Sequence, residues 1–390
     1  MRPFAFVGKL PASKSMLNRL QLVQSYFPDF KINGESAADD VTLMRAALSG
    51  LHSGKTIQAG AAGTVLRFMA LRASRLPGRF EFTGTARLFA RPQEELTRIL
   101  RQLGVQAEFK GTSLVVESAG WKLHGDTLLV PSARSSQFAT AVLFNAWDLP
   151  FDLYVSLGGR PISEGYWRMS VEMAQSLGMK IDFWDGDFRI PRGQKPTRLE
   201  FAAEIDMSSA FALSGAAAVG GQVTLTDFPE RSLQPDAAFV SILERMGVPI
   251  QRSGNGLKID KAKRLNGVAV NLRSTPDLFP VLAALGALAE GDSELSGASQ
   301  LVHKESDRIQ KMVELIRAIG RPVEALSDGI KISGSRMAPT ETVRFDCAED
   351  HRLAFAAAIF KVAGVDIEIL NPESVSKSFP EFWRLIGCPI

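Results

Sequence analysis

Cysteine and histidine are scarce in this chain of 390 residues, which contains two cysteines and four histidines. Cys347 and Cys388 cannot build a disulfide framework, and the few possible ligands show no metal-site spacing, so we expect no metal. No uninterrupted apolar run of about 18 residues occurs, and no apolar leader follows the N-terminus. These deficits predict a cytoplasmic protein without a membrane partner.

Excess charge of either sign is also missing. Lysine and arginine number 45 against 42 aspartates and glutamates, which gives a formal net charge of +3. A balance this close to neutral favours no nucleic-acid partner. Hydrophobic residues make up 45% and charged residues 22%, as in ordinary globular chains, and the length suggests two lobes.

A repeated segment is the main feature that is present. A helix-like stretch, a glycine and an apolar strand recur at intervals of roughly 70 residues, the signature of a repeat architecture. The glycines of the five copies are Gly104, Gly178, Gly247, Gly320 and Gly387. Each glycine is predicted to end its helix in the left-handed conformation.

A second series of segments runs in step with the first. Short polar loops lead into apolar helices, and the loops are marked by Ser15, Thr64, Ser136, Ser208, Pro276 and Asp350. Dipeptides such as Asp185-Gly186, Asn255-Gly256 and Asp328-Gly329 predict hairpins after the first strand of a unit. Together the two series predict an α/β (α+β) chain of six βαβαββ repeats. Free N–H groups at the helix starts would favour anions.

Two motifs that suggest other chemistry are rejected. The stretch from Gly50 to Thr56 resembles a phosphate-binding P-loop, but it has three residues between its glycines instead of four and follows a helical stretch. Cys347 and His351 are spaced i, i+4, yet nothing nearby completes a thiol nucleophile. We interpret Cys347 as a structural cysteine.

Three clusters that contain basic residues, and one further lysine, carry more information. Lys14 stands at the mouth of a helix that places Ser15 and Arg19 on one face. The segment from Lys304 to Arg308 packs two cations and two carboxylates, and Asp350-His351-Arg352 precedes an apolar helix, where a charge requires a partner. Lys377, taken alone, is typical of a surface lysine.

The order of these motifs resembles the EPSP synthase (3-phosphoshikimate 1-carboxyvinyltransferase) family of enolpyruvyl transferases. The resemblance covers the whole chain. Its landmarks are PASKSMLNR, AGT-LR at Ala62–Arg67, FTGTARLFARP at Phe82–Pro92, SSQF at Ser135–Phe138, QPD at Gln234–Asp236, Pro276-Asp277, HKESDR at His303–Arg308, DHR at Asp350–Arg352 and SKSFPEF.

The resemblance implies a two-lobed inverse α/β barrel-like fold with three repeats in each lobe. We expect one lobe over residues 13–203, carrying most of the shikimate 3-phosphate site. Residues 1–12 and 204–390 would form the second lobe and carry Asp277, Glu305, Arg308, Arg352 and Lys377.

The reaction implied transfers the enolpyruvyl group of phosphoenolpyruvate to the 5-hydroxyl of shikimate 3-phosphate and releases phosphate. Both substrates are polyanions, which arginine forks bind well. Residues implied to bind phosphoenolpyruvate are Lys14, Gly63, Arg91, Gln137, Arg308, Arg352 and Lys377. Those implied to bind shikimate 3-phosphate are Ser15, Arg19, Ser135, Ser136, Gln137, Ser163, Tyr166, Asp277 and Lys304.

Catalysis needs one proton on the enol methylene carbon and the removal of another from the attacking hydroxyl. Asp277 resembles the base for the hydroxyl, and Glu305 resembles the group that serves the methylene, with Lys14 assisting. The resemblance implies no cofactor, small-molecule partners alone and a monomer.

Two alternatives and several departures accompany this interpretation. The sister enzyme acting on UDP-N-acetylglucosamine usually has Lys-Asn at Lys14-Ser15 and a loop cysteine that is absent here. A catalytically idle binding protein of the same fold is the other alternative. The family's usual Asn, Pro, Asn and Pro are replaced by Ala61, Phe68, Gln300 and Ala86. We expect altered affinity for phosphoenolpyruvate and for its mimic glyphosate.

Overall fold

Two compact units divide the chain. The computed structural model describes residues 3–333 and 341–388; residues 1, 2, 334–340, 389 and 390 of the predicted second lobe lie outside the described residues. The inserted unit comprises Lys14–Ala203, and the split unit joins Met1–Ser13 to Glu204–Ile390. The split unit begins with strand β1 (Phe4–Gly8).

The inserted unit alternates helices and strands. Its helices are α1 (Lys14–Tyr26), α2 (Asp39–Ser49), α3 (Gly63–Ala73), α4 (Ala86–Ala90), α5 (Glu94–Gln102), α6 (Gln137–Phe144) and α7 (Glu164–Ser176). Its strands are β2 (Lys31–Asn33), β3 (Ile57–Gln58), β4 (Pro77–Thr83), β5 (Gln106–Lys110), β6 (Ser113–Ala119), β7 (Leu128–Leu129), β8 (Leu153–Ser156), β9 (Asp182–Trp184), β10 (Asp187–Ile190) and β11 (Glu200–Ala202).

The split unit continues in the same alternation after β1. Its helices are α8 (Met207–Gly220), α9 (Phe239–Arg245), α10 (Phe279–Leu288), α11 (Arg308–Ala318), α12 (His351–Val362) and α13 (Phe382–Leu385). Its further strands are β12 (Gly221–Leu225), β13 (Ile250–Ser253), β14 (Gly256–Asp260), β15 (Ala269–Asn271), β16 (Ser293–Ser296), β17 (Val323–Leu326), β18 (Gly329–Ile332), β19 (Val343–Asp346) and β20 (Ile367–Leu370). Short 3₁₀ turns span Pro235–Ala238, Pro276–Leu278, Ser299–His303 and Pro372–Lys377.

One sheet pattern occurs four times. In each of the sheets β3-β4-β6-β5, β7-β8-β10-β9, β1-β12-β14-β13 and β15-β16-β18-β17, a parallel pair is followed by an antiparallel hairpin. A single helix connects the parallel strands in three of these sheets, whereas the whole inserted unit and α8 lie between β1 and β12; parallel neighbours need such a crossover. This is the predicted βαβαββ order. Within the described residues, none of the sheets closes into a barrel.

Two repeats are shorter than the predicted pattern. The parallel pairs β2 with β11 and β19 with β20 have no hairpin strands beside them in the described part of the chain. No strand is described between α2 and β3, and none is described after α13.

Glycines end the repeated helices as predicted. The five repeat glycines all have positive φ, from 63° at Gly387 to 99° at Gly178, a conformation that glycine adopts without a Cβ penalty. Asp185 and Gly186, with φ of 44° and 86°, form the predicted two-residue turn between β9 and β10. The next predicted hairpin turns one residue earlier than expected, at Gly254 and Asn255.

Apolar helices fill the centre of the split unit. Helices α8, α10 and α12 pack against one another and are buried along nearly their whole length. Gly215 allows a close approach, since a Cβ there would lie 3.0 Å from a methyl of Val281. The predicted burial of these helices is confirmed. None of the helices in the described residues is long and apolar enough to cross a membrane.

Candidate active site

A buried arginine organises three carboxylates in the split unit. Arg308, the first residue of α11, is 1% exposed. Its Nε donates to Asp350 (2.8 Å), its Nη1 to Asp277 (3.1 Å), and its Nη2 to Glu305 (3.0 Å) and again to Asp350 (3.1 Å). Charge-assisted bonds of this kind hold the acceptors in fixed positions. We call Asp277, Glu305, Arg308, Asp350, Arg352 and Lys377 the carboxylate cluster.

Arg352 links the cluster to two further elements. Its Nη2 donates to Asp277 Oδ2 (2.6 Å) and to the Ser208 hydroxyl (3.3 Å), and its Nη1 donates to the Asp277 carbonyl (3.3 Å). The Ser208 hydroxyl in turn donates to Asp236 (2.7 Å). Helices α8 and α12 and the 3₁₀ turn that carries Asp277 are thereby connected.

The cations around Asp277 govern its protonation. Burial alone would raise the pKa of this carboxyl, but the charges of Arg352, Lys304 and Arg308 outweigh burial and hold the pKa well below its usual range. Burial would likewise lower the pKa of Arg308, and the facing carboxylates raise it above its ordinary value. Asp277 is therefore ionised throughout the neutral range and is a weak base in the free protein.

Glu305 lies between two cations. One carboxylate oxygen accepts from Arg308, and the other lies 3.9 Å from Nζ of Lys377, whose side chain is 8% exposed. The interpretation of Lys377 as a surface lysine is wrong, because this side chain is buried against the cluster. Burial beside a carboxylate is typical of a lysine with a specific partner.

Asp350 is the carboxylate that accepts hydrogen bonds from Arg308 and from the start of α12. It is fully buried, caps α12 by accepting from the Arg352 N–H (3.1 Å), and also accepts from the Ser306 hydroxyl (2.9 Å). The N-cap position satisfies a helix-end donor, while the two bonds from Arg308 balance its charge. Asp350 thus sets the position of Arg308 relative to the start of α12.

A second arginine organises polar groups in the inserted unit. Arg67 on α3 is 3% exposed, and its Nη1 donates to Gln137 Oε1 (2.8 Å) and to the Ser135 hydroxyl (3.4 Å). Its Nε donates to Gln93 (3.3 Å), and its Nη2 donates to the Pro92 carbonyl (3.2 Å). We call Arg67, Gln93, Ser135 and Gln137 the amide cluster. It joins α3 to the start of α6.

Arg91 lies against the first residue of α3. A Cβ added at Gly63 would lie 3.1 Å from Nη1 of Arg91 and 3.3 Å from Nη2. Glycine at this position therefore lets a guanidinium approach the N-terminal backbone of a helix, where N–H groups favour anions. Arg91 is 7% exposed and directly precedes Pro92.

Arg19 is the centre of a third group in the inserted unit. Its Nε donates to the Ser170 hydroxyl (2.9 Å), and its Nη1 donates to the Ser15 carbonyl one turn back (2.6 Å). Burial lowers the pKa of Arg19 to about 9, opposed by the charge of Tyr166. The guanidinium also lies 5.7 Å from the ring centre of Phe68, one of the departures from the family pattern.

The start of α7 holds two more predicted residues. Ser163 is its N-cap with φ of 57° and ψ of 46°, a left-handed conformation that is strained for serine. Tyr166 donates its N–H to the Ser163 carbonyl (3.0 Å), and its own carbonyl accepts from the Ser170 hydroxyl (2.7 Å). Since Ser170 also binds Arg19, the structure connects both residues to Ser15 and Arg19.

Lys14 pairs with a residue that sequence reasoning missed. Its Nζ lies 2.8 Å from Asp40 Oδ2 on α2, and the two side chains are 14% and 6% exposed. The partner lies 26 residues along the chain, so no local spacing reveals it. Lys14 is thereby held at the first position of α1, beside Ser15.

The structure brings the predicted residues together within each unit, and their roles stay predictions. Lys304, Asp277, Glu305, Arg308, Arg352 and Lys377 lie in the split unit, and the remaining predicted residues, Ser136 among them, lie in the inserted unit. Arg67 and Asp350 were not predicted as site residues, although Arg67 lies near the start of α3 and Asp350 is the N-cap of α12. Burial raises the pKa of Cys347, as expected for a structural thiol.

Metal ligands are sparse around these clusters. In the described ranges, 3–333 and 341–388, no group of three or more histidine, cysteine, aspartate or glutamate side chains could hold a metal ion. The carboxylates that do converge in the split unit do so around Arg308.

Comparison with known proteins gives one consistent result. The family model described as EPSP synthase (3-phosphoshikimate 1-carboxyvinyltransferase) matches residues 11–386. Curated proteins named 3-phosphoshikimate 1-carboxyvinyltransferase are similar to the chain. The protein of Syntrophobacter fumaroxidans is 32% identical over 96% of this chain and 95% of its own, and that of Methanoculleus marisnigri is 31% identical over 85% and 78%.

The fold agrees with a solved structure. EPSP synthase from Acinetobacter baumannii aligns with a TM-score of 0.73 over 99% of this chain and 96% of its own, at 22% identity. The predicted α/β class and two-lobed fold are thereby confirmed. With the family match across nearly the whole length, the chain belongs to the EPSP synthase family.

Proposed function

We propose that this chain transfers the enolpyruvyl group of phosphoenolpyruvate to the 5-hydroxyl of shikimate 3-phosphate. The observation that carries the mechanism is the arrangement of Asp277 and Glu305 on one buried guanidinium, that of Arg308. The reaction needs two proton transfers of opposite direction, and two carboxyl groups held on one rigid support can divide them. A monomeric state and a cytoplasmic location belong to the same proposal.

In the first step the substrate hydroxyl attacks carbon 2 of phosphoenolpyruvate while its methylene carbon gains a proton. Asp277 accepts the hydroxyl proton, and Glu305, assisted by Lys14, delivers the proton to carbon. In the second step the phosphate leaves as the C–O bond breaks, and Glu305 removes a proton from the new methyl group. The proton that Asp277 took from the hydroxyl passes to the departing phosphate, so atoms and charge balance over the two steps and both carboxyl groups return to their starting state.

Substrate anions would tune the proton affinity of Asp277. In the free protein Arg352 and Arg308 hold Asp277 ionised, which makes it a poor base. A phosphate or carboxylate that binds Arg352 competes with Asp277 for the same guanidinium donors, and the pKa of Asp277 then rises towards a useful value. We therefore assign Arg352, Arg308 and Lys377 to phosphoenolpyruvate and Lys304 to shikimate 3-phosphate.

The inserted unit would supply the remaining binding groups. Arg91, Lys14, the Gly63 N–H and Gln137 bind phosphoenolpyruvate in this proposal. Ser15, Arg19, Ser135, Ser136, Gln137, Ser163 and Tyr166 bind shikimate 3-phosphate. The support for this assignment is the hydrogen-bonded connection among these residues and the positive charge of the group.

Phosphate release tests the proposed activity. We expect release with phosphoenolpyruvate and shikimate 3-phosphate together and none with either alone. UDP-N-acetylglucosamine in place of shikimate 3-phosphate should give none. Release with the sugar nucleotide would identify the sister activity, and no release with any pair would favour a binding protein.

Glu305→Gln tests the assignment of the proton groups. The amide can still accept from Arg308 but cannot carry the proton, so we expect kcat to fall about 10²–10⁴-fold with little change in shikimate 3-phosphate binding. The matched control is Glu324→Gln, which changes an exposed glutamate of β17 in the same unit. Turnover that survives in Glu305→Gln contradicts the assignment.

A further inference from the structure

A polar pocket lies in the inserted unit at the far end of its first three helices. It has a volume of about 490 Å³ and is lined by residues of α1 and α2, by the segment after β2 and by Arg72 in the last turn of α3. Pockets of this volume hold small organic ligands. No residue predicted to bind the substrates lines it.

Arg72 is the buried charge of this pocket. The residue is 6% exposed; its Nε donates to the Ser25 hydroxyl (2.8 Å), and its Nη2 donates to the Ser25 carbonyl (3.1 Å). Its guanidinium lies 4.2 Å from the ring centre of Tyr26. The Nη1 group is buried and has no hydrogen-bond partner among the described residues. A buried donor without a partner is destabilising, so the site favours an acceptor that could fill this place.

Gln21 provides the complementary group. It lies on α1 and lines the same pocket, it is 6% exposed, and its Oε1 is buried without a partner in the described part of the chain. An amide oxygen accepts only, so it needs a donor such as a hydroxyl or an ammonium. Arg45 and Glu35, both exposed lining residues, place one further charge of each sign at the pocket.

The pocket lies on a different face of α1 from the predicted substrate residues Ser15 and Arg19, since its lining residues Leu17, Gln21 and Gln24 are spaced i, i+4 and i+7. Lys14 begins α1, whereas Ser25 lies in its last turn, and a helix of this length spans about 16 Å between the two. The hydrogen bond from Asn18 to Thr64 joins the early turns of α1 and α3, and that between Arg72 and Ser25 joins their last turns. The two ends of this helix pair therefore present different sets of side chains.

We propose that this pocket binds a small organic carboxylate that carries a hydroxyl or ammonium group. The carboxylate accepts from Arg72 Nη1, and the hydroxyl or ammonium donates to Gln21 Oε1. A second carboxylate on the same ligand pairs with Arg45. The proposal concerns a site other than the one that carries the enolpyruvyl chemistry, and either proposal can fail without the other.

Three probes of matched carbon skeleton test it. Succinate, L-malate and L-aspartate differ only in the hydrogen, hydroxyl or ammonium at one carbon. We would titrate each into the full-length protein by calorimetry, without substrates, to about 10 mM, a range that detects millimolar dissociation constants. We expect L-malate or L-aspartate to bind about fivefold or more tightly than succinate, because only these two donate to Gln21.

Two arginine variants test whether the probes bind in this pocket. Arg72→Gln should weaken the preferred probe about tenfold or more, since it removes the charged donor. Arg75→Gln is the matched control: this arginine also lies near Tyr26, does not line the pocket, and donates instead to the carbonyls of Asn145 and Trp147. Binding in this control should equal that of the unchanged protein.

Gln21→Leu tests the second contact, which the ligand's hydroxyl or ammonium makes with Gln21 Oε1. It also tests the proposal if Arg72→Gln fails to fold. It should reduce the preferred probe to the affinity of succinate, and a preference that survives overturns the proposal. Binding of no probe, or binding that is insensitive to Arg72→Gln, also overturns it. The two buried atoms would then be satisfied by water alone.

Discussion

The carboxylate cluster of the split unit and the amide cluster of the inserted unit hold buried arginines in opposite ways. Arg308 donates to three carboxylates. Arg67 donates to the amide oxygens of Gln93 and Gln137, to the Ser135 hydroxyl and to the Pro92 carbonyl. A carboxylate balances the charge of an arginine, and a neutral oxygen does not. The hydrogen bonds that hold Arg67 in the amide cluster are thus made to neutral oxygens.

The same contrast holds for the other cations. Arg352 and Lys377 face Asp277 and Glu305, so the cations of the split unit lie beside groups that can move protons. Arg19 is held by a hydroxyl and a carbonyl, and Lys14 pairs with the carboxylate of Asp40. We infer that the split unit is built for proton transfer, whereas the inserted unit is built to attract anions.

The largest expected effect distinguishes the Arg308–Asp350 pair of the split unit from the Lys14–Asp40 pair of the inserted unit by stability. Asp350→Asn keeps the size and capping ability of the side chain but removes a charge facing Arg308, and we expect it to cost about 3–5 kcal/mol of unfolding free energy. Asp40→Asn, the change at the more exposed Lys14 pair, should cost about 1 kcal/mol. Urea unfolding of both variants measures the two losses. Equal losses of unfolding free energy would contradict this distinction between the two ion pairs.

The unfolding free energy of Asp277→Asn, measured at several pH values, tests how strongly the cations of the carboxylate cluster act on this carboxylate. The folded pKa of Asp277 is depressed, so the carboxylate contributes stability that is complete above its unfolded pKa of about 4 and is lost as pH falls below it. At pH 7 the variant should be less stable by about 2 kcal/mol, since charge-assisted hydrogen bonds are lost.

The stability gap between Asp277→Asn and the unchanged protein should narrow between about pH 5 and pH 3. Chemical unfolding at several pH values measures the gap. The change Asp126→Asn, made at an exposed residue of the segment before β7, controls for the general effect of acid. A gap that stays constant with pH contradicts the depressed pKa.

Arg67→Lys tests whether the amide cluster positions its neighbours. Lysine keeps the charge but cannot reproduce four donations in a planar fork, so Gln137 and Ser135 lose their support. We expect kcat/KM to fall about tenfold, through KM more than through kcat, because binding groups are displaced and the proton groups are not. Arg101→Lys on α5 is the exposed control. A fall confined to kcat would assign Arg67 to the chemistry instead.

The smallest effect concerns Ser163, whose left-handed backbone costs free energy. Ser163→Gly should raise stability by up to about 1 kcal/mol, because glycine adopts positive φ without strain. If the hydroxyl binds shikimate 3-phosphate, KM for that substrate should rise in the same variant. Asp148→Gly, also at positive φ, controls for the backbone effect. An unchanged KM would remove Ser163 from the site.

The sequence predicts local features well and distant partners poorly. The repeat glycines, the helix starts and the burial of α8, α10 and α12 follow from spacing and composition, which act over a few residues. The partner of Lys14 lies 26 residues away, and that of Arg352 lies 75 residues away. Such pairs form only when separate repeats pack, so the roles of Asp40 and Arg67 and the burial of Lys377 could not be predicted.

Strand β1 has a consequence for how the chain is made. Phe4 pairs with Gly221, so the first strand finds its neighbour only after more than two hundred further residues have been added. At roughly 5–20 residues per second, that delay is about 10–40 seconds. The pair of Lys31 with Glu200 completes the inserted unit earlier in synthesis. While the inserted unit folds first, β1 stays unpaired in the nascent chain. It must not pair with the edge strands of other sheets during that time.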